Sequence, residues 1–148
     1  MVVGFAPGGG TDTVARIIAR NLSESLGQQV VVENKAGAGG NIATDFVAHA
    51  APDGYTILLG SVGSLAVAPH VISGLPYDPL RDFAPITMAV VFANVLVVQP
   101  SLPVQSLADF VKLAKDKPGT VTYGSAGILG AGHLAGELLK MRANLDMV

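Results

Sequence analysis

Met1 to Val3 is a short apolar stub that runs straight into Gly4-Phe5-Ala6-Pro7-Gly8-Gly9-Gly10-Thr11-Asp12, and an amphipathic stretch begins directly behind it. A chain that spends four glycines here is restricted to a strand, a tight backbone loop and a helix. Glycine admits positive φ and lets backbone N–H groups come close to a bound oxygen. The helix that follows adds unpaired N–H donors and a partial positive charge. The loop reads as an anion cradle that needs no cationic side chain. The plain alternative is a strand-to-helix turn capped by Thr11 or Asp12, with no ligand.

The neighbouring residues narrow the anion. A Walker A loop ends in Gly-Lys-Ser/Thr, whereas Gly10 is followed by Thr11-Asp12, so a nucleoside triphosphate does not fit. The dinucleotide fingerprint fails as well, because Asp12 would face the pyrophosphate and no third glycine follows in register. A small carboxylate is the better match.

The same strand, glycine loop and helix recur along the chain. Val14, Ile17, Ile18, Leu22 and Leu26 predict a helix over 13–26, stopped by Gly27. Val30 to Val32 predicts a buried strand within 29–33, then a turn over 34–41 and a helix from about 42 to 50. Tyr55 to Gly60 predicts a third strand, leading into Ser61-Val62-Gly63-Ser64 and a short helix to about 71. The proline-bearing segment 75–83 reads as a surface connection, and two apolar strands are predicted at 84–91 and 94–99. Ser106 and Asp109 suggest a capping box for a helix to about 115. Residues 120–123 then predict a strand, 124–133 a glycine loop, and a last helix runs to about 142. The repeated placement of glycine at a strand's carboxyl end marks the edge where open α/β sheets bind ligands.

Composition removes several classes of function. With 148 residues the chain holds one domain or one and a fraction. Half of the residues are hydrophobic and 14% are charged, which suits an α/β protein with strands buried on both faces. A net charge of −2, no basic stripe and no Trp leave nucleic acid without an electrostatic basis. The absence of cysteine removes disulfides, thiolate zinc sites and thiol catalysis. His49 and His70 are isolated from other metal-ligating residues, so no metal and no cofactor is assigned. Residues 54–77 carry no Asp, Glu, Lys or Arg but are broken by glycine and proline, and 86–98 is too short to span a bilayer. Both read as soluble-protein core. No basic, leader-like segment precedes the first strand.

Five motifs, in order, resemble the Bug-type solute receptors of tripartite tricarboxylate transporters. They are Gly4 to Asp12 with Ala15-Arg16, Val32 to Gly40, Pro52 to Thr56, Leu75 to Pro79 with Asp82 to Pro85, and Tyr123 to Gly127 with His133 to Ala135. The resemblance implies a type II periplasmic-binding-protein-like fold of α/β class, a periplasmic location, a carboxylate held between two lobes, and delivery to membrane permease subunits. Family members are roughly twice as long. On that reading 1–100 is most of lobe one, 101–148 begins lobe two, and a truncated chain is expected to expose apolar surface, pair with another copy or bind weakly.

The ligand contacts expected from the motifs are Gly8, Gly9, Gly10, Thr11, Asp12 and Ser61, with Ser125, Ala126 and Gly127 as the opposing clamp. A carboxylate beside an anion repels it, so Asp12 is better suited to capping than to contact. His133 is expected to cap or hydrogen-bond locally, and Arg16 and Arg20 to pair with surface acids. The rival reading is a nucleotide-binding oxidoreductase domain built on Gly130-Ala131-Gly132-His133-Leu134-Ala135, which satisfies Gly-x-Gly-x-x-Ala. Its acidic ribose partner, about twenty residues on, would lie past Val148. A hydrolase is weaker, since neither Ser61 nor Ser125 sits in a Gly-x-Ser-x-Gly elbow.

Overall fold

The computed structural model describes residues 1–148. Val3 has no exposed surface, and the first half of the fold is built around it. Strand β1 (Val2–Val3) is the centre of a three-stranded parallel sheet of order β2-β1-β3, with β2 at Glu33–Asn34 and β3 at Leu58–Leu59. Val3 lies opposite Asn34 on one side and Leu59 on the other. Helices α1 (Gly10–Leu26) and α2 (Asn41–Ala48) make the crossovers, and both pack on β1. Burying one valine completely is worth roughly 2 kcal/mol, and here it fixes the junction of three strands and two helices.

Local sequence explains the ends of these elements. α1 stops where Gly27 adopts φ +64, the left-handed conformation that glycine takes at little cost. A 3₁₀ turn at Ala38–Gly40 leads into α2, and a π-helical turn at Gly63–Val67 leads into α3 (Ala68–Val71), which has a proline in its first turn. α4 (Leu107–Asp116) opens on the expected box: the Ser106 hydroxyl accepts from the Asp109 N–H and donates to its carboxylate. α5 (Ala131–Ala143) closes on Asn144 in the left-handed region.

Two cores are separate in sequence. In the first half of the chain Val2, Val3, Ala15, Ala19, Ala43 and Ala68 are buried. The second gathers Phe110, Ala114, Leu145 and Met147, with Val111, Val121 and Leu139 packed against them. Val121 and Met147 form a parallel bridge, reinforced by Tyr123 N–H to the Val148 carbonyl at 2.8 Å.

Strand content is lower than the sequence predicts. At 29–33 only Glu33 enters the ladder and Val31 is exposed. At 55–60 only Leu58–Leu59 pairs, and at 120–123 only Val121 forms a bridge. The strands expected at 84–91 and 94–99 are absent. That segment belongs to no helix or strand, its amides and carbonyls up to Val98 make no backbone hydrogen bond, and Ile86 and Val97 are each about 80% exposed, which corrects their assignment to the core. β-branched residues favour a strand only when a neighbouring strand is there to pair with, and this chain places none beside them.

Tyr77 ties the surface connection to the first core. Its hydroxyl, almost fully buried, lies 2.7 Å from both the Asn41 side-chain oxygen and the Ser64 carbonyl. Tyr77→Phe deletes that link and leaves a buried acceptor without its donor, so it is expected to lower stability by about 1–3 kcal/mol in urea denaturation. An unchanged midpoint would show the bridge to be dispensable.

Candidate functional site

In a parallel sheet all strands end at one edge, so the loops that follow β1, β2 and β3 meet there. The order β2-β1-β3 puts a reversal of strand order between β1 and β3, the position at which open α/β sheets bind ligands. A cleft of about 280 Å³ lies at this edge, lined by Gly4, Phe5, Ala6, Ala36, Gly37, Ala38 and Gly39 on one side and by Ala126, Gly127 and Ile128 on the other. The N–H groups of Ala6, Ala38, Gly39, Ala126 and Ile128 find no acceptor within the chain. A larger hollow at Pro100–Gln105 is lined by none of the expected site residues. Its one carboxylate, Asp109, is occupied in capping α4.

The Gly4–Gly9 loop carries the cleft wall into α1. Gly8 turns at φ +84 and its N–H donates to Asp12 Oδ2 at 2.9 Å, so that donor is already used. Gly9 is the extended N-cap and has no side chain to offer. Gly10, Thr11 and Asp12 form the first turn, and their N–H groups have no acceptor in the chain. None of the expected contacts Gly8, Gly9, Gly10, Thr11 and Asp12 lines the cleft itself.

Asp12 faces the protein. Only 3% exposed, its carboxylate accepts from Arg16 Nε at 2.9 Å, from the Gly8 N–H, and from Asn34 Nδ2 at 2.9 Å. The same Asn34 amide donates to the Phe5 carbonyl at 3.0 Å. Asp12 thus staples the loop after β1 to the end of β2. The Arg16 guanidinium, then the Gly8 N–H and the Asn34 amide, hold its carboxyl well below the usual carboxylate range. Arg16 spends its charge on Asp12, while Arg20 forms no ion pair.

The remaining candidates fall at different distances from the cleft. Ala126 and Gly127 line it; Ser125 lies next to them, exposed, its hydroxyl 3.4 Å from both the Gly127 carbonyl and N–H. Ser61 sits behind Gly40 and shares a weak 3.3 Å hydroxyl contact with Ser64. His133 makes no cap. Its ring stacks on Tyr123 with centroids 6.5 Å apart, and its Nδ1 is buried without a partner. No paired strand runs directly into α5, so Gly130-Ala131-Gly132 lacks the strand and tight turn that a dinucleotide fold requires.

Phe5, Asn34, Ala38 and Gly39 are site-forming residues that motif reasoning missed. Phe5 lies between Gly40 and Gly130 and so touches both walls. The signal for Asn34 was positional: it is the last residue of a strand parallel to β1.

A parallel α/β unit with a carboxyl-edge cleft, facing a second small unit, is the build of a periplasmic binding protein. The chain belongs to the tripartite tricarboxylate transporter receptor family, whose description, "Tripartite tricarboxylate transporter family receptor", matches residues 14–148. Protein BugT of Bordetella pertussis is 44% identical over 151 residues, covering 100% of this chain and 46% of that protein. A UPF0065 protein from the tcbD-tcbE intergenic region of Pseudomonas sp. strain P51 is 45% identical, covering 99% and 44%. Among solved structures, an R. palustris protein with adipate superposes with TM-score 0.90 at 41% identity, and MatC from Rhodopseudomonas palustris with bound malate with TM-score 0.89 at 34%. These cover 99% of this chain and 49% and 51% of theirs. The chain spans about half the length of the relatives it matches. Family and fold are those of solute-binding receptors, and no helix is long and apolar enough to cross a membrane.

The staple at Asp12 has a pH signature. A depressed carboxyl stabilises the fold at every pH above its unfolded value of about 3.9, and that contribution is lost as pH falls through the lower folded value. Asp12→Asn is therefore expected to lower the melting temperature at pH 7. The gap to the parent should stay constant down to about pH 4 and narrow only below it. A gap that stays unchanged as pH falls below 4 would mean that the charged form is not what the fold uses.

Proposed function

We propose that the chain binds a small carboxylate in the cleft between the Gly4–Ala6 and Ala36–Gly39 loops and the Ala126–Ile128 loop, as the periplasmic receptor of a tripartite tricarboxylate transporter. The observation that carries this is the set of backbone donors without acceptors on the cleft wall, with the open first turn of α1 following Ala6 in sequence. Amide donors at a helix start favour an anion, and a cleft of about 280 Å³ admits a compact organic acid. Adipate and malate accompany the two structural relatives named above, which supports a dicarboxylate.

In this reading residues 1–100 form most of one lobe and 101–148 the start of the other. Gly10, Thr11, Ala126 and Gly127 supply contacts, Ser125 and Ser61 stand in support, and Asp12 with Gly8 and Gly9 shapes the loop without touching the ligand. Closing the walls on the anion strengthens each contact by excluding water, and the closed population reports the ligand to the membrane subunits. Transport needs no bond-making, so no catalytic residue is assigned.

Calorimetric titration of adipate, malate and citrate, with NAD as control, tests the assignment. Saturable binding of one or more acids is expected, weakened several-fold by Thr11→Pro, which removes an open first-turn N–H at a position where proline is tolerated, with no turnover. Heat from NAD alone would move the function to the Gly130 loop and end the receptor reading.

A further inference from the structure

The Ala126–Leu129 backbone sits on the first unit at two points where no side chain intervenes. A Cβ placed on Gly63 would collide with the Leu129 carbonyl, and one placed on Gly39 with the Ile128 carbonyl. Both collisions are with backbone, which cannot swing aside as a side chain can. Leu129 itself is held at φ +65, an unfavourable conformation for a residue with a side chain. Its β-carbon lies 3.6 Å from the position of a Gly63 Cβ and 3.2 Å from that of a Gly39 Cβ.

Gly63 is the informative member of the pair. It lies in the first turn of a helical segment and is not among the glycines with positive φ, so its own backbone gives no reason to avoid a side chain. Alanine is intrinsically preferred over glycine in helices. The only obstacle to a Cβ at this position is the Leu129 main chain from the far side of the cleft.

We propose that Gly63 and Gly39 are positioning residues: together they form a seat on which the 126–129 backbone docks, setting the spacing of the closed cleft. This rests on the receptor reading for its purpose, though not for its geometry. Direct backbone contact fixes the separation of the two walls to a fraction of an ångström, so the ligand meets donors already in place. A seat that is occupied only part of the time lowers apparent affinity in proportion to the docked fraction.

The chain is small enough for NMR without a ligand, which separates the seat from the function. Cross-relaxation from the Gly63 and Gly39 α-protons to the Leu129 β-protons is expected in the unmodified chain. Gly63→Ala should abolish it while leaving the amide shifts of 58–60, Ala68, His70 and Val71 in place. Gly54→Ala serves as the control, since Gly54, like Gly39, has positive φ but faces open space. It should leave the cross-relaxation to Leu129 intact. Adipate and malate titrations should then show affinity about tenfold weaker for Gly63→Ala, as a docked fraction cut tenfold requires. Cross-relaxation to Leu129 that persists in Gly63→Ala, or is missing from the unmodified chain, overturns the seat. If Gly63→Ala abolishes it while none of adipate, malate and citrate binds the unmodified chain, the seat stands and the receptor reading falls.

Discussion

The Asp12 carboxylate is the interaction on which the rest of the first unit depends. Three segments meet at it: the glycine loop through Gly8, α1 through Arg16 and the end of β2 through Asn34, whose amide also holds the Phe5 carbonyl of the same loop. A loop with this many glycines carries a large conformational entropy in the unfolded chain, and something has to hold it in a single shape. A buried charge would ordinarily be costly, but here each acceptor site meets an N–H donor, which is the condition under which such a group stabilises. The negative charge that looked out of place beside an anion cradle is turned away from it and neutralised by Arg16.

Glycine serves two different purposes in this chain. At Gly8 and Gly27 it supplies positive φ, so the backbone can reverse. At Gly4, Gly39 and Gly63 it supplies the absence of a Cβ, so that one stretch of backbone can lie on another; a Cβ on Gly4 would come within 2.6 Å of the Gly40 α-carbon. The second use places donors from separate loops close together. Small residues on a cleft wall are therefore a means of bringing main chains together as much as a means of leaving room.

Much of the fold was legible in the sequence because it rests on local rules. The helices at Gly10–Leu26, Asn41–Ala48, Leu107–Asp116 and Ala131–Ala143 follow from hydrophobic spacing, a glycine or asparagine stop and one capping box. The strands were overpredicted because pairing is not local. Residues 84–99 have the composition of core strands, yet composition cannot say whether a neighbour is present, and the relatives are about twice as long as this chain. The site was legible at loop level and not at residue level. Ala126 and Gly127 lie on the cleft, while Ser61 lies behind it, and Phe5, Asn34 and Gly39 were passed over because their roles come from where parallel strands end and how closely two loops approach.

The donors on the cleft wall have a chemical property that side-chain sites lack. An amide N–H neither gains nor loses a proton across the biological pH range and is unchanged when the residue carrying it is replaced by any other except proline. A pocket built on such groups keeps the same array of donors while Phe5 or Ile128 is exchanged for larger or smaller neighbours. One scaffold of this kind can be handed from one organic acid to another by altering shape alone, with the electrostatic part of recognition inherited unchanged.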